Sequence, residues 1–163
     1  MKLSIWSFGH LVIWLLDLVL VMDLLMLAAP FRGVDMSELS TALKERTITF
    51  ALNVLRLVDR FPQTAAAKVI AYQLAKSSTS VGANYRSACN GRSRAEFIAK
   101  LGTVVEEAEE SVYWLQIVDR LHLTPNSEVP DLLRESTELR AIFSRSLGTA
   151  RQNSRSQRRQ MTK

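Results

Sequence analysis

Between residues 94 and 121 one apolar stripe recurs with the spacing that a helix places on a single face. Phe97, Leu101, Val104, Ala108, Ser111, Leu115 and Val118 follow one another in alternating steps of four and three residues, the pattern of a helix packed along a seam. At 1.5 Å of rise per residue this segment is a rod of ~42 Å. A rod that long cannot bury its apolar face against loops, so it requires partner helices of similar length. Its beginning is also marked. Asn90-Gly91 closes whatever precedes it, and Ser93 with Glu96 forms a capping box that satisfies backbone N–H groups left free in a first turn.

Three further segments supply such partners. A first helix is expected over 38–60, with Ile48, Ala51, Leu52, Leu55 and Val58 as its apolar face and Pro62 ending it. A second is expected over 65–89 behind Thr64 as N-cap, with Ile70, Leu74, Ser77, Val81, Asn84 and Ala88 on the seam. Here two rules conflict, because Ser77-Ser78-Thr79-Ser80-Val81-Gly82 is a poor helix former and Gly82 alone costs ~1 kcal/mol against Ala. Periodicity is given precedence, since small side chains on a seam allow a neighbouring backbone to come close. A fourth helix starts near Pro130, buries Leu132, Leu133, Ser136, Leu139, Phe143 and Leu147, and stops at Gly148. Short connections between long helices make neighbours antiparallel. The expected fold is all-α: an elongated, antiparallel up-down-up-down four-helix bundle over residues 36–150.

The ends differ from this body. Residues 11–29 are apolar except for Asp17 and Asp23, long enough for a bilayer but carrying two carboxylates that each cost about 2.5 to 3.5 kcal/mol near a span centre. Three readings of residues 1–35 stay open: a start of translation at Met36, where composition changes abruptly, a membrane anchor, or a cleaved signal. The first implies a cytoplasmic protein, the second a membrane-anchored one. At the other end, residues 151–163 hold Arg151, Arg155, Arg158, Arg159 and Lys163 with no acid, which accounts for the whole net charge of +5. This basic tail lacks apolar periodicity and is expected to be disordered until bound.

Catalytic chemistry finds little support. The chain has two His and one Cys. Asp119 and His122 make a single approximate copy of a motif that a di-iron bundle needs twice. Cys89 has no sequence-level partner beyond His122, and no glycine-rich phosphate loop occurs. No enzyme activity, cofactor or metal is therefore expected. Charge is more informative. Residues 65–100 hold Lys68, Lys76, Arg86, Arg92, Arg94 and Lys100 against Glu96 alone, whereas residues 101–119 hold five acids and no base. Arg86, Arg92 and Arg94 then gather at one end of the bundle, where with Arg151, Arg155, Arg158 and Arg159 they form a candidate phosphate-binding set. Lys100, Glu107 and Trp114 recur every seven residues on one flank of the third helix, and Tyr113 and Ile117 lie on its outer face. These five are the candidate contact surface with another subunit or protein.

The segment SSTSVGANYRSACNGRSRAEFIAKLGTVVEEAEESVYWL, residues 77–115, resembles the bacterial four-helix bundle family that includes proteins encoded by intervening sequences of 23S ribosomal RNA. The accessory variability proteins of diversity-generating retroelements look like relatives. The resemblance rests on Ser80, Gly82, Ala83, Asn84, Tyr85 and Arg86, on Ser93, Phe97, Lys100 and Leu101, and on Glu110 with Tyr113-Trp114-Leu115. It departs at Ser87 and Glu106, where an acidic residue and a lysine are common. The resemblance implies a ring-like homopentamer without enzymatic activity and with nucleic-acid binding, RNA being the leading ligand. A scaffold for a protein partner, such as a polymerase, is the alternative.

If Met36 begins the folded protein, residues 36–163 produced alone should be soluble without detergent and show a cooperative helical melt by circular dichroism. Aggregation of that fragment, with folding of the full chain in detergent, would make residues 1–35 part of the protein.

Overall fold

The structure, a computed structural model, describes residues 36–124 and 128–161. The apolar stretch and its three readings lie outside them. The described residues belong to one compact unit and contain four helices and no strand: α1 (Met36–Val58), α2 (Ala65–Cys89), α3 (Arg94–Arg120) and α4 (Glu128–Met161). None of them is long and apolar enough to cross a membrane.

Local chemistry accounts for most of the boundaries. The Thr64 hydroxyl accepts a hydrogen bond from the Ala67 amide at 3.2 Å and so caps α2. At the start of α3 the Ser93 hydroxyl accepts from the Glu96 amide at 3.1 Å, while the Glu96 carboxylate reaches back to the Arg92 amide at 2.9 Å. The far end of α3 closes differently. His122 adopts a left-handed backbone, φ 48°, its amide donates to Asp119 O at 3.1 Å, and the Leu123 amide donates to Val118 O at 3.3 Å. This is a Schellman closure with histidine where glycine is usual.

Helix α2 continues through Ser77–Gly82 without a break, as periodicity requires and propensity does not. The cause is close packing. A Cβ built on Gly82 would stand 3.0 Å from Thr47 Oγ1 and 3.3 Å from Thr47 Cβ. Any larger residue would push α1 away. Ser77 is fully buried on the other flank of α2, where its hydroxyl accepts a hydrogen bond from Ser111 Oγ at 3.1 Å. Asn84 behaves otherwise than a buried seam residue: it is half-buried and donates to Ser80 O within its own helix.

The core is built from Leu43, Phe50, Val54 and Leu57 of α1, Leu74, Val81 and Tyr85 of α2, the α3 stripe, and Leu139, Phe143 and Leu147 of α4. Phe97 is the one member of the expected α3 stripe that is not fully buried. Each helix packs on the next in chain order, and α4 returns to α1 through the lightest of the four contacts. Across the centre, the Tyr85 and Phe143 rings lie 5.0 Å apart, tilted by 51°. Ion pairs close the light α1–α4 side. Arg46 makes a bidentate contact with Glu135 at 2.7 Å and a third bond to Glu138 at 2.7 Å, and Arg60 pairs with Glu128. Arg60 holds the Glu128 carboxyl below the usual range.

Two expectations are corrected. The buried seam of α1 is Leu43, Thr47, Phe50, Val54 and Leu57, and the residues assigned to it from spacing, Ile48, Leu52 and Leu55, face outward. Both sets repeat in steps of four and three, so spacing alone cannot rank them. Nor does the fourth helix stop at Gly148: it runs to Met161, and the basic tail, expected to be disordered, is helical over 151–161. Ala150 is buried, Asn153 and Ser154 are half-buried, and Gln157 is tied to α3. Those contacts extend the helix where composition alone argued against it.

A non-glycine residue in the left-handed region costs roughly 1–2 kcal/mol, and the His122 side chain is exposed. His122→Gly should therefore raise stability by about 1 kcal/mol in urea denaturation. A loss of stability would show that the imidazole makes a contact outweighing the backbone term.

Candidate functional site

Two surfaces collect the residues singled out by the sequence. The first is the basic end. In helical projection at 100° per residue, Arg151, Arg155, Arg158 and Arg159 fall within one face of roughly 100°. All four are exposed, and no acid follows Glu138 in the chain. Gly148, Arg151, Gln152, Arg155, Ser156 and Arg159 line a shallow concavity along this face. With neither a side chain on Gly148 nor a neighbour within 4 Å of where its Cβ would be, that concavity is open at one end.

The hairpin between α2 and α3 contributes unevenly. Arg94 Nη1 donates to Gln157 Oε1 at 2.7 Å, which brings the start of α3 against the end of α4 and joins Arg94 to the tail. Arg92 is exposed near that start. Arg86 is half-buried and points to α1, where Nη2 donates to Lys44 O at 3.3 Å and lies 3.6 Å from Glu45 Oε1. Its guanidinium is thus directed to α1 and away from the tail.

The second surface is the outer side of α3. The seven-residue flank divides by role. Lys100 Nζ donates to Ser87 Oγ of α2 at 2.8 Å, within the same chain. Trp114 is half-buried, its indole N–H donates to Glu110 Oε1 at 3.1 Å, and its ring meets Tyr113 edge-on at 5.0 Å. Tyr113 is exposed and Ile117 half-buried. Glu107 differs from both of its companions: its Oε2 is inaccessible to solvent and has no hydrogen-bond partner. Burial, then the Glu110 and Glu106 carboxylates, push the Glu107 carboxyl above its usual range, with Lys76 opposing.

Sequence reasoning missed a third feature, the outward apolar stripe of α1. The available signal was the presence of two four–three seams on one helix, only one of which a core can use. On the inner side of α2 the Tyr85 hydroxyl meets Ser40 and Cys89 and is held protonated to well above the usual phenol range by burial. Cys89 Sγ lies 3.5 Å from Ser40 Oγ. Among the described residues, no three His, Cys, Asp or Glu side chains converge as metal ligands would.

Burial of one Glu107 oxygen without a hydrogen-bond partner, beside the Glu110 and Glu106 carboxylates, disfavours the charged form, so its cost appears as pH rises through the unfolded carboxyl value, ~4.3, and persists above it. Glu107→Gln should therefore raise the thermal midpoint at pH 7 and leave it nearly unchanged at pH 4. An equal shift at both values would assign the effect to packing instead of charge.

Comparison with known proteins agrees with this architecture. Residues 41–145 match the family model described as 23S rRNA-intervening sequence protein. Among solved structures, a protein of unknown function from the S23 ribosomal protein family of Bacteroides thetaiotaomicron is similar at 29% identity and a TM-score of 0.59, over 67% of this chain and 97% of that one. No curated protein matches.

Proposed function

The chain belongs to the 23S rRNA-intervening sequence protein family, and on that premise we propose that it is a non-enzymatic, oligomeric RNA-binding or ribonucleoprotein accessory protein of the cytoplasm. The observation that carries this reading is the face of α4 formed by Arg151, Arg155, Arg158 and Arg159, joined to Arg94 through Gln157. A helix holds its side chains at fixed intervals, here ~6 Å for each four-residue step. An array of guanidiniums without intervening acids attracts phosphate strongly and reads no base. Arg92 and Arg94 extend the array, and Arg86, turned to α1, is not part of it.

The helices assemble as an elongated, antiparallel up-down-up-down bundle in this reading. Its support is the sense of the interhelical pairs. Thr47 meets Gly82 and Ser40 meets Cys89, Ser77 meets Ser111 and Ser87 meets Lys100, and Glu109 meets Arg140 while Arg94 meets Gln157. In every pair of helices the residue number rises on one as it falls on the other. Self-association, as a homopentamer, uses the outer side of α3, where Tyr113, Trp114 and Ile117 lie beside Glu107. A second reading, a scaffold for another protein, draws on the same exposed aromatic surface and on the acids that surround it.

The RNA reading is tested by replacing Arg151, Arg155, Arg158 and Arg159 together with Gln, which keeps the helix and removes the charge. Each phosphate neutralised contributes about −0.7 to the slope of log affinity against log salt for a single strand. The variant should lose about 1 to 3 units of slope per chain and bind all RNA sequences more weakly, as followed by fluorescence anisotropy across a salt series. An unchanged affinity and slope would remove the RNA reading and favour the protein scaffold.

A further inference from the structure

Helix α1 and the turn that follows it carry a polar stripe one position behind the buried seam. Arg46, Thr49, Asn53, Arg56 and Arg60 each precede an inward residue, namely Thr47, Phe50, Val54, Leu57 and Phe61. They recur in steps of three and four, which keeps them on one side. Arg46 and Arg60, the first and last of them, meet α4, so the stripe is turned to that helix. Helix α4 answers with Glu128, Asp131, Glu135 and Glu138 in the same spacing. Two facing stripes of opposite charge would be expected to pair along their whole length. They pair at the ends and not in the middle.

At one end Arg46 holds Glu135 and Glu138, and at the other Arg60 holds Glu128. These two ties stand about 20 Å apart along the α1 axis. Between them the charged groups turn back on their own helices. Arg56 Nη1 donates to Asn53 Oδ1 at 3.2 Å, and Asp131 Oδ1 accepts from Arg134 Nη2 at 2.7 Å. Arg56 has no carboxylate partner among the described residues. The gap is a groove of about 610 Å³, with Phe50 and Leu132 at its floor and the two polar stripes as its walls. That volume is of the order that small-ligand sites have.

Charge decides what fits there. The lining holds three arginines and three acids, so a simple anion meets no net field to draw it in. The groups left over are of opposite kinds. On the α1 wall Arg56 Nε and Nη2 and Asn53 Nδ2 are donors, and on the α4 wall Asp131 Oδ2 is an acceptor. A complementary ligand carries an anion for the first wall and N–H donors for the second. Because the walls belong to two helices, whose axes pack ~8–10 Å apart, these functions belong at opposite ends of the ligand. A nucleotide has that form, with phosphate at one end and a base edge at the other. Guanine alone offers a carboxylate two adjacent donors, its ring N–H and its amino group, whereas the other bases pair each donor with a neighbouring acceptor. We propose that the groove between α1 and α4 is a guanine-nucleotide site, in which Arg56 and Asn53 bind the phosphate and Asp131 accepts from the base edge. The same chemistry serves a free guanosine monophosphate or an unpaired guanosine in an RNA strand. The second source rests on the RNA reading above and deepens it, since the basic face at the far end of α4 contacts phosphate and reads no base.

Calorimetric titration of the full chain with guanosine, adenosine, cytidine and uridine monophosphates provides the test. The guanine nucleotide should bind roughly tenfold or more tightly than the others, as a paired base contact allows. Arg56→Gln should weaken it several-fold. Asp131→Ala should abolish the preference and leave guanosine and adenosine monophosphates equal, an outcome that a merely structural loss would not produce. Both side chains are exposed and bond only within their own helices, and circular dichroism checks that the variants fold. If Asp131→Ala does not, Asp131→Asn replaces it and should still narrow the preference. Short RNA strands separate the two sources. A strand with one unpaired guanosine that binds better than an all-adenosine strand, and loses that advantage in Asp131→Ala, assigns the site to RNA. Binding of the monophosphate with no preference between strands assigns it to the free nucleotide. Replacing Arg151, Arg155, Arg158 and Arg159 with Gln should leave monophosphate binding unchanged, so failure of the RNA reading and failure of this site are told apart. Absence of guanine-nucleotide binding at millimolar concentration, equal affinity for the four bases, or a guanine preference that survives Asp131→Ala overturns the proposal.

Discussion

Helix α2 can sit between α1 and α3 only because it meets each of them through small side chains. Toward α3, the fully buried Ser77 and Ser111 share a hydrogen bond of 3.1 Å. Ser111 also accompanies the Glu107 carbonyl of its own helix. Toward α1, Gly82 leaves room for the Thr47 side chain, whose hydroxyl is directed to Lys44 O at 2.8 Å. Each hydroxyl therefore has a partner although none reaches water, which spares the penalty of burying a bare polar group. Bulkier residues at these places would separate the helices and expose the apolar seams on both sides. The low helix propensity of Ser77–Gly82 is the local cost of that close approach, and dense contact with α3 offsets it.

The remaining side of the domain is held on another principle. Between α1 and α4 the backbones make their lightest contact, and charge takes over from shape. Arg46 serves two carboxylates of α4, Glu135 and Glu138, and Arg60 meets Glu128. A planar guanidinium suits such bidentate contacts, yet partial exposure makes each worth little in water. The α1–α4 side is thus more sensitive to salt than the α2–α3 side. Helix α4 shows a related division along its length. Its first turns carry Glu128 and Asp131, and its last carry Arg158 and Arg159, the order that the helix dipole favours. The same arrangement leaves positive charge at the end where α3 begins.

Family membership and geometry bear on function from different directions. The family is described through 23S ribosomal RNA intervening sequences, which names an origin and not a reaction. Geometry supplies three surface features: an exposed basic face on α4, an outward apolar stripe on α1 with Val69 and Tyr72 of α2 exposed as well, and the outer side of α3 with Tyr113.

The boundaries of α2 and α3 could be read directly from the chain, since Thr64, Ser93 with Glu96, and Asn90-Gly91 act on the backbone within one turn and need nothing distant. The buried stripe of α3 was equally clear, because a single four–three series leaves one possible inner face. Residues such as Lys100 and Arg86 were recognised as exceptional, but their partners, Ser87 on another helix and Lys44 on a third, depend on how helices far apart in sequence are aligned. The choice between the two seams of α1 had the same origin. Leu43, Phe50, Val54 and Leu57 and the outer Ile48, Leu52 and Leu55 satisfy one periodicity, and contacts from other helices, such as Gly82 against Thr47 and Glu135 against Arg46, accompany the inward turn of the first set. The tail shows the limit most clearly. A stretch of Ser, Gln and Arg has too little apolar surface to order itself, so the sequence by itself determined its charge, and only packing against α3 decided that the charge is carried on a helix.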